Sequence, residues 1–540
     1  MTATGMVSAP QPEAAEAAIE IMRAGGNAVD AAIACALVQT VVDPLMCGIA
    51  GFGSMAVYLR DEGRHEYIDF HAPAPLAATP TMWSDLIEGE TRDGFGFILK
   101  GRINDIGYKS ICVPAALKAY GEAHRSYGKL PWADVVAPAI RAAHDGWVVR
   151  AGVSAFWSEG SHLGRTANHE RLSYSASGRA FYCHPDGTPK RLGEGVKNPD
   201  MARTLEQIAR EGVDVFYHGE IADRIVADMA AHGGLITRRD LEEYHPIRNR
   251  PLEGTYRGHK VTTNQPPGGG VMLLEMLNML EEFDLADLGH NTPDYICLLS
   301  EVMKRATSDK DNHVGDPRFV EVPVERLTSK AYARELADSI RRGVRAEVAR
   351  LGDPVPRDTT QVSVVDGDGN CVSMTHSLGM PSGVITDGLG FMYNGCMAVF
   401  DPRPGRAGSI APGKARFSAM CPSIVFRGGE PYIVVGAPGG TQIVMGVLHT
   451  ILNVIDFGMD MQQAVSAPRF SSTSNAIDVV NRIPRYVTAE VEARGYQIIR
   501  NPLNYSIAFV HGIRIVDGKL DGGADPGRDG VVLSVPKHGR

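Results

Sequence analysis

Strand-like segments lie toward both ends of this 540-residue chain, separated by a long helical stretch. "GIAGFGSMAVYLRD" and "HEYIDFHAPAP" read as one hairpin, turning at Asp61-Glu62-Gly63. "TQVSVVD" and "CVSMTHSL" flank the turn "GDGN" and read as a second. "PSIVFRGGEPYIVVG" reads as a third, turning at Gly428-Gly429, and "SIAFVHGIRIVDG" supplies tail strands. The chain is too long for one simple hydrophobic core, so several packed units or one large layered unit are expected. Strand pairs at both ends with helices packed around them point to an α/β layered sandwich.

The helical segments carry their own punctuation. Residues 13–24, "EAAEAAIEIMRA", stop at Gly25-Gly26. Asn27 can cap the next segment, "AVDAAIACALVQTVV", which is small and apolar nearly all round and is predicted to be buried. From about 114 to 350 the pattern is mostly helical, with apolar residues at three- and four-residue spacing and frequent terminal glycines. A charged segment, 319–357, then loops out through "RLGDPVPRD". "TQIVMGVLHTILNVIDFG" reads as a buried helix.

Composition excludes several classes. The net charge is −9 with no basic block, which argues against nucleic acid as a partner. No run of about 18 apolar residues is present, so no membrane span is expected. The first twenty residues lack the basic and apolar regions of a signal peptide, so a cytoplasmic location is expected. Eight scattered cysteines without CxxC read as buried small residues rather than disulfides. "DGDGN" at 366–370 begins like a calcium loop, but Cys371 and Ser377 stand where glycine and glutamate are required. "PPGGG" at 266–270 lacks the GK[ST] of a phosphate loop. No zinc spacing or nucleophile elbow occurs, so neither metal nor cofactor is expected.

The stretch "RDTTQVSVVD" places Thr359 and Thr360 where a charged loop meets a strand. Threonine suits a loop entering an edge strand. Thr359 also suits a second reading, as a nucleophile that becomes a new N-terminus. A threonine hydroxyl needs an adjacent base, and its own freed α-amine can serve. Ser377 ends the paired strand of the same hairpin. Gly439-Gly440, in "GAPGGTQ", precede a helix, where two unhindered N–H groups could hold an oxyanion.

Taken in order, "GMVSAPQPEAAEAAIEIMRAGGNAVDAAIA", "YGKLPWADVVAPAIRAAHDG", "GGLITRRDLEEY", "TTQVSVVDGDGNCVSMTHSLG", "APGKARFSAMCPSIV", "GAPGGTQI", "SAPRF" and "GGADPGRDG" resemble the γ-glutamyltranspeptidase family of N-terminal-nucleophile hydrolases. The resemblance runs nearly end to end. It implies a four-layer αββα sandwich and autocleavage between Asp358 and Thr359. Residues 1–358 would form the large subunit and 359–540 the small one, together one αββα unit. The two would associate as a heterodimer, with a dimer of these also compatible. Thr359 matches the family's nucleophile, Ser377 the hydroxyl beside its amine, and Gly439 and Gly440 the oxyanion glycines. Thr360, Asn394 and "GGADPG" read as structural.

The substrate-binding positions depart from the family pattern. His71 stands where an arginine grips the substrate α-carboxylate, and Ser418-Ala419 replaces a serine pair. Gly379, Cys396 and Val399 stand where the α-amino group would be held. Burying a charged amino-acid head without partners is costly. The segment between Phe400 and Lys414 is also short. The resemblance is therefore closer to the cytoplasmic transpeptidase-like amidohydrolases, acting on a small non-γ-glutamyl amide, with small or apolar acyl groups favoured. The alternatives are a true γ-glutamyltransferase or glutathione hydrolase, and an inactive binding relative.

Overall fold

A computed structural model describes residues 3–536 apart from 92, 93, 95, 162–164 and 349–358. The loop "RLGDPVPRD" and Asp358, on one side of the expected cut, lie outside the described residues. In chain order the strands of the two central sheets are β1 (Ala3–Ala9), β2 (Phe52–Leu59), β3 (Arg64–Phe70), β4 (Ile247–Asn249), β5 (Leu252–Tyr256) and β6 (His259–Thr263). They continue with β7 (Thr360–Val365), β8 (Cys371–Ser377), β9 (Ser423–Arg427), β10 (Glu430–Gly436), β11 (His511–Val516), β12 (Lys519–Ala524) and β13 (Val531–Pro536).

One sheet has the order β13-β1-β7-β8-β2-β3-β4 and the other β12-β11-β10-β9-β6-β5. Every pairing in both is antiparallel. The sheets face each other across an apolar cluster that includes Met6, Tyr67, Val365, Ile424, Phe426 and Ile513. Hydroxyls stitch the same interface: Ser373 Oγ donates to Val435 O at 2.9 Å and Ser363 Oγ to His511 O at 3.0 Å. Seven of the eight cysteines are buried and all are unpaired.

Helices cover the outer faces. α1 (Pro12–Arg23) and α2 (Ala28–Val42) lie on the seven-stranded sheet. Asn27 and Asp30 form a reciprocal capping box that starts α2, and every residue of α2 is buried, as its small apolar sequence demands. α3 (Gly270–Leu280) and α5 (Ile443–Ile455) lie on the six-stranded sheet, with α4 (Pro293–His313) packed behind α3. The result is a helix–sheet–sheet–helix stack. Among the described residues no helix is long and apolar enough to cross a membrane.

The three hairpins and the first two helices stand where their sequences place them. Two regions differ. Residues 3–9 form a strand, and 247–263, inside the stretch that reads as mostly helical, contribute β4, β5 and β6. "IRNRPLEGTYRGHKVTT" is short, charged and glycine-interrupted. Its strands pair mainly through backbone, so side-chain alternation is faint.

Candidate active site

The β7–β8 hairpin separates the two adjacent threonines. β7 begins at Thr360, whose Oγ1 donates to Gln11 Oε1 and accepts from Gln39 Nε2, both at 3.1 Å, on the helix-facing side. Gln39 also meets His376, which contacts Tyr120. Burial keeps the His376 imidazole neutral, with its pKa lowered to about 3. Thr359 points elsewhere: its Oγ1 donates to Ser377 Oγ at 3.1 Å, and Ser377 Oγ also accepts from Gly379 N at 2.8 Å. Thr360→Val removes two hydrogen bonds but leaves Gln39 Nε2 on Gln11 Oε1 and Gln361 O, so it should lose only about 1 kcal/mol of stability and keep self-cleavage and turnover. Chain mass and denaturant midpoint test this; an uncut or inactive but folded Thr360→Val would show that the two residues have exchanged roles.

Thr359 carries a second mark. Its φ is 145°, a region that a β-branched residue rarely occupies. Such conformations cost on the order of 1–3 kcal/mol and persist where the surroundings impose them.

Thr359, Ser377, Gly379, Val399, Ser418 and Gly440 line one cavity of about 20 Å³, room for roughly one water. Gly94, Val399, Arg416 and Phe417 are shared with an adjoining cleft of about 540 Å³, a size suited to a small organic ligand. The short segment after Phe400 forms one wall of that cleft. Among the described residues no carboxylate lines the Thr359 cavity.

The glycine pair does not abut the α-helix directly. Gly440–Gln442 form a single 3₁₀ turn, and α5 starts at Ile443. The two glycines have φ values of 147° and 57°. A Cβ on Gly439 would lie 2.7 Å from Ala508 Cα, so no larger residue fits. Phe509 N donates to Pro438 O at 2.9 Å and anchors the turn. Behind it, the Arg469 guanidinium donates to Ile507 O and Ala508 O and pairs with the Asp525 carboxylate. "SAPRF" and "GGADPG" thus meet as one buried ion pair that supports the glycine turn. Asn394 is structural too, binding Ala50 O, Cys112 O and the N–H groups of Cys112 and Cys396.

The expected substrate-binding residues are not all in one place. Ser418 and Gly379 reach the Thr359 cavity. Cys396 lies behind Gly379, its Sγ 3.0 Å from where a Gly379 Cβ would be, and burial pushes its thiol up to about 11. His71 lines a neighbouring cavity with Asp69, Tyr244 and Arg318 instead. Burial, then the charge of Arg416, lowers its pKa to about 4, so the ring is neutral near pH 7. "PPGGG" braces the site: Pro267 O accepts from Ser418 N at 2.8 Å and Gly269 N donates to Met420 O at 2.9 Å.

A family profile described as Gamma-glutamyltranspeptidase matches residues 14–535. The chain belongs to the γ-glutamyltranspeptidase family. It is a hydrolytic enzyme of that type. Acylase ACY 1 proenzyme of Pseudomonas sp. (strain SE83) is 37% identical, covering 98% of this chain and 93% of that protein. The glutathione hydrolase proenzyme of Pseudomonas aeruginosa is 34% identical over 98% of this chain and 94% of its own. The crystal structure of cephalosporin acylase from Bacillus halodurans superposes with a TM-score of 0.88 at 30% identity, covering 99% and 97% of the two chains.

In this family member one charged cavity residue escapes the sequence reading. Arg416 stands two positions before Ser418, in "GKARFSAM", and its side chain shares the walls of both the Thr359 cavity and the cleft. The available signal was an arginine two residues after Lys414, entering a run that turns small and apolar toward β9.

Proposed function

We propose that this protein is a self-processing amide hydrolase whose nucleophile is Thr359. The contact between Thr359 Oγ1 and Ser377 Oγ, in the cavity that Gly440 also lines, carries the reading. In self-cleavage, Thr359 Oγ1 attacks the Asp358 carbonyl, the Asp358–Thr359 amide becomes an ester, and water hydrolyses it. The φ of Thr359 exists as a torsion only while Asp358 is attached, so cleavage releases the strain held there. The proenzyme names of the relatives support the same sequence of events.

The freed α-amine then takes the Thr359 hydroxyl proton as Oγ1 attacks a substrate amide. The N–H groups of Gly439 and Gly440 hold the tetrahedral oxyanion. Collapse expels the amine, which leaves with the proton, and water releases the acyl group from the threonine ester. Ser377 orients the hydroxyl. The cut pieces, 1–358 and 359–540, stay together as a heterodimer, because β7 lies between β1 and β8, and β8 between β7 and β2.

Purified protein should consist of two chains meeting between Asp358 and Thr359 by denaturing mass analysis. Activity in a preparation that remains uncut would overturn the proposal. For the substrate, the immediate surround of Thr359 holds no carboxylate among the described residues, and Glu90, Asp311 and Asp401 line only the adjoining cleft, which favours a non-γ-glutamyl amide. The glutathione hydrolase relatives supply the competing reading. The expected result is that γ-glutamyl-p-nitroanilide falls more than about tenfold, or 1.4 kcal/mol, below the best amide found in kcat/KM. Turnover within that factor would restore the γ-glutamyl reading.

A further inference from the structure

Gln39 ties both strands of the nucleophile hairpin to the helix that covers them. In the wholly buried α2, Asp30 caps the first turn and Thr40 Oγ1 donates back to Leu37 O at 2.7 Å, whereas the fully buried Gln39 reaches the sheet. Its Nε2 donates to Gln361 O and Thr360 Oγ1 on β7, both at 3.1 Å, and to Gln11 Oε1 at 2.6 Å. Its Oε1 meets His376 Nε2 on β8 at 2.7 Å, and His376 Nδ1 meets Tyr120 OH at 2.8 Å. A backbone carbonyl only accepts, so Gln361 O fixes which end of the amide faces β7. The other end is then an acceptor, so His376 donates through Nε2 and receives the Tyr120 hydroxyl at Nδ1. Gln11 is oriented in turn, because its Nε2 donates to Asp43 Oδ2 at 2.9 Å.

The strand register places this amide at the reacting end of the hairpin. Thr360 and His376 are direct cross-strand partners, and the β7–β8 pairing ends with them. Thr359 and Ser377 come next, and their hydroxyls meet at 3.1 Å. We propose that Gln39 is a positioning residue for the reaction: one planar amide spans the last strand pair and so sets the approach of Thr359 Oγ1 to Ser377 Oγ and to the oxyanion glycines. The φ of 145° at Thr359 needs surroundings that impose it, and an amide bonded to both strands is a rigid source of that constraint. Misplacing a reacting group by about 1 Å costs up to about a hundredfold in rate.

The inference rests on Thr359 being the nucleophile, and the test separates the two. Self-cleavage of freshly synthesised precursor is followed by intact mass. Mature protein is then treated with p-nitrophenyl acetate: Thr359 Oγ1 takes the acetyl group, p-nitrophenolate leaves, and the hydroxyl proton passes to the α-amine. Peptide mass analysis locates the acetyl group. Gln39→Met, which keeps the volume and loses the hydrogen bonds, should slow self-cleavage and acetylation at saturating ester by about thirtyfold, with half-saturation within about threefold of wild type. Thr360→Val, which leaves Gln39 on Gln361 O and His376, should stay within about threefold on both rates. Gln39→Glu keeps the shape; while protonated it donates to β7 and accepts from His376, but once ionised it faces two acceptors, Gln361 O and Gln11 Oε1. Burial raises such a carboxyl, so acetylation of Gln39→Glu should fall between about pH 6 and pH 9, whereas the wild-type rate should rise as the α-amine loses its proton. Gln39→Met at wild-type rates, or Thr360→Val slowed as much as Gln39→Met, overturns the role of Gln39 and leaves the nucleophile standing. If Gln39→Met does not fold, Gln39→Glu decides: a rate that follows the wild-type pH profile overturns the proposal. A cut or an acetyl group found in the wild type elsewhere than at Thr359 overturns the nucleophile instead.

Discussion

Thr359→Ala should remain a single chain and should not hydrolyse any amide. The variant removes the one hydroxyl that meets Ser377 Oγ, at 3.1 Å, in a cavity shared with Gly440. Loss of a nucleophile of this kind costs about four to six orders of magnitude in rate. Thr359→Ser keeps the hydroxyl and should retain part of both the cut and the activity. The Cβ that makes this positive φ costly is present in serine too, and only the extra crowding of the threonine branch is lost, so the serine variant holds slightly less strain at the scissile bond. Slower self-cleavage by Thr359→Ser is therefore expected even where its turnover survives. Intact mass over time and steady-state hydrolysis measure the two separately. A Thr359→Ala protein that is found in two pieces would place the cut, or the attacking group, elsewhere.

Asp525→Ala should produce the largest loss of stability away from the cavity, about 3–5 kcal/mol, because it strands the Arg469 guanidinium in the interior. Both side chains are almost fully buried, at 2% and 0% exposure. The carboxylate also accepts from Gly527 N at 2.8 Å and Val510 N at 3.3 Å. Through Ala508 and Phe509 the same unit fixes the Pro438–Gly440 turn. Whatever folded Asp525→Ala remains should show reduced kcat, since misplaced oxyanion donors weaken transition-state binding more than ground-state binding. Asp525→Asn keeps the shape and part of the hydrogen bonding and should lie between. Denaturant midpoints and kcat on the best amide decide this. A wild-type midpoint for Asp525→Ala would mean that the pair contributes nothing net, and a wild-type kcat would detach it from the turn.

Local sequence determined a large part of this protein. Asn27 and the small apolar run after it dictate a capped, buried helix, because the cap satisfies the free N–H groups and small residues pack without voids. Alternation and turn chemistry dictate the hairpins at 52–70, 360–377 and 423–436. The period of two in β7 also implies that Thr359 and Thr360 face opposite ways, and their separate partners follow from it. Tertiary structure decided the rest. The charged strands at 247–263 exist because sheet edges are available to pair with them, not because their side chains alternate. The loop after β3 turns His71, expected beside the substrate, into a neighbouring cavity, while Arg416, which a linear reading gives no role, is carried to the wall beside Thr359. A side chain's period along a strand is local geometry and can be read from the chain. Which distant loop supplies the charge beside a nucleophile depends on how two sheets and their connections stack, and the chain near either residue holds no record of that.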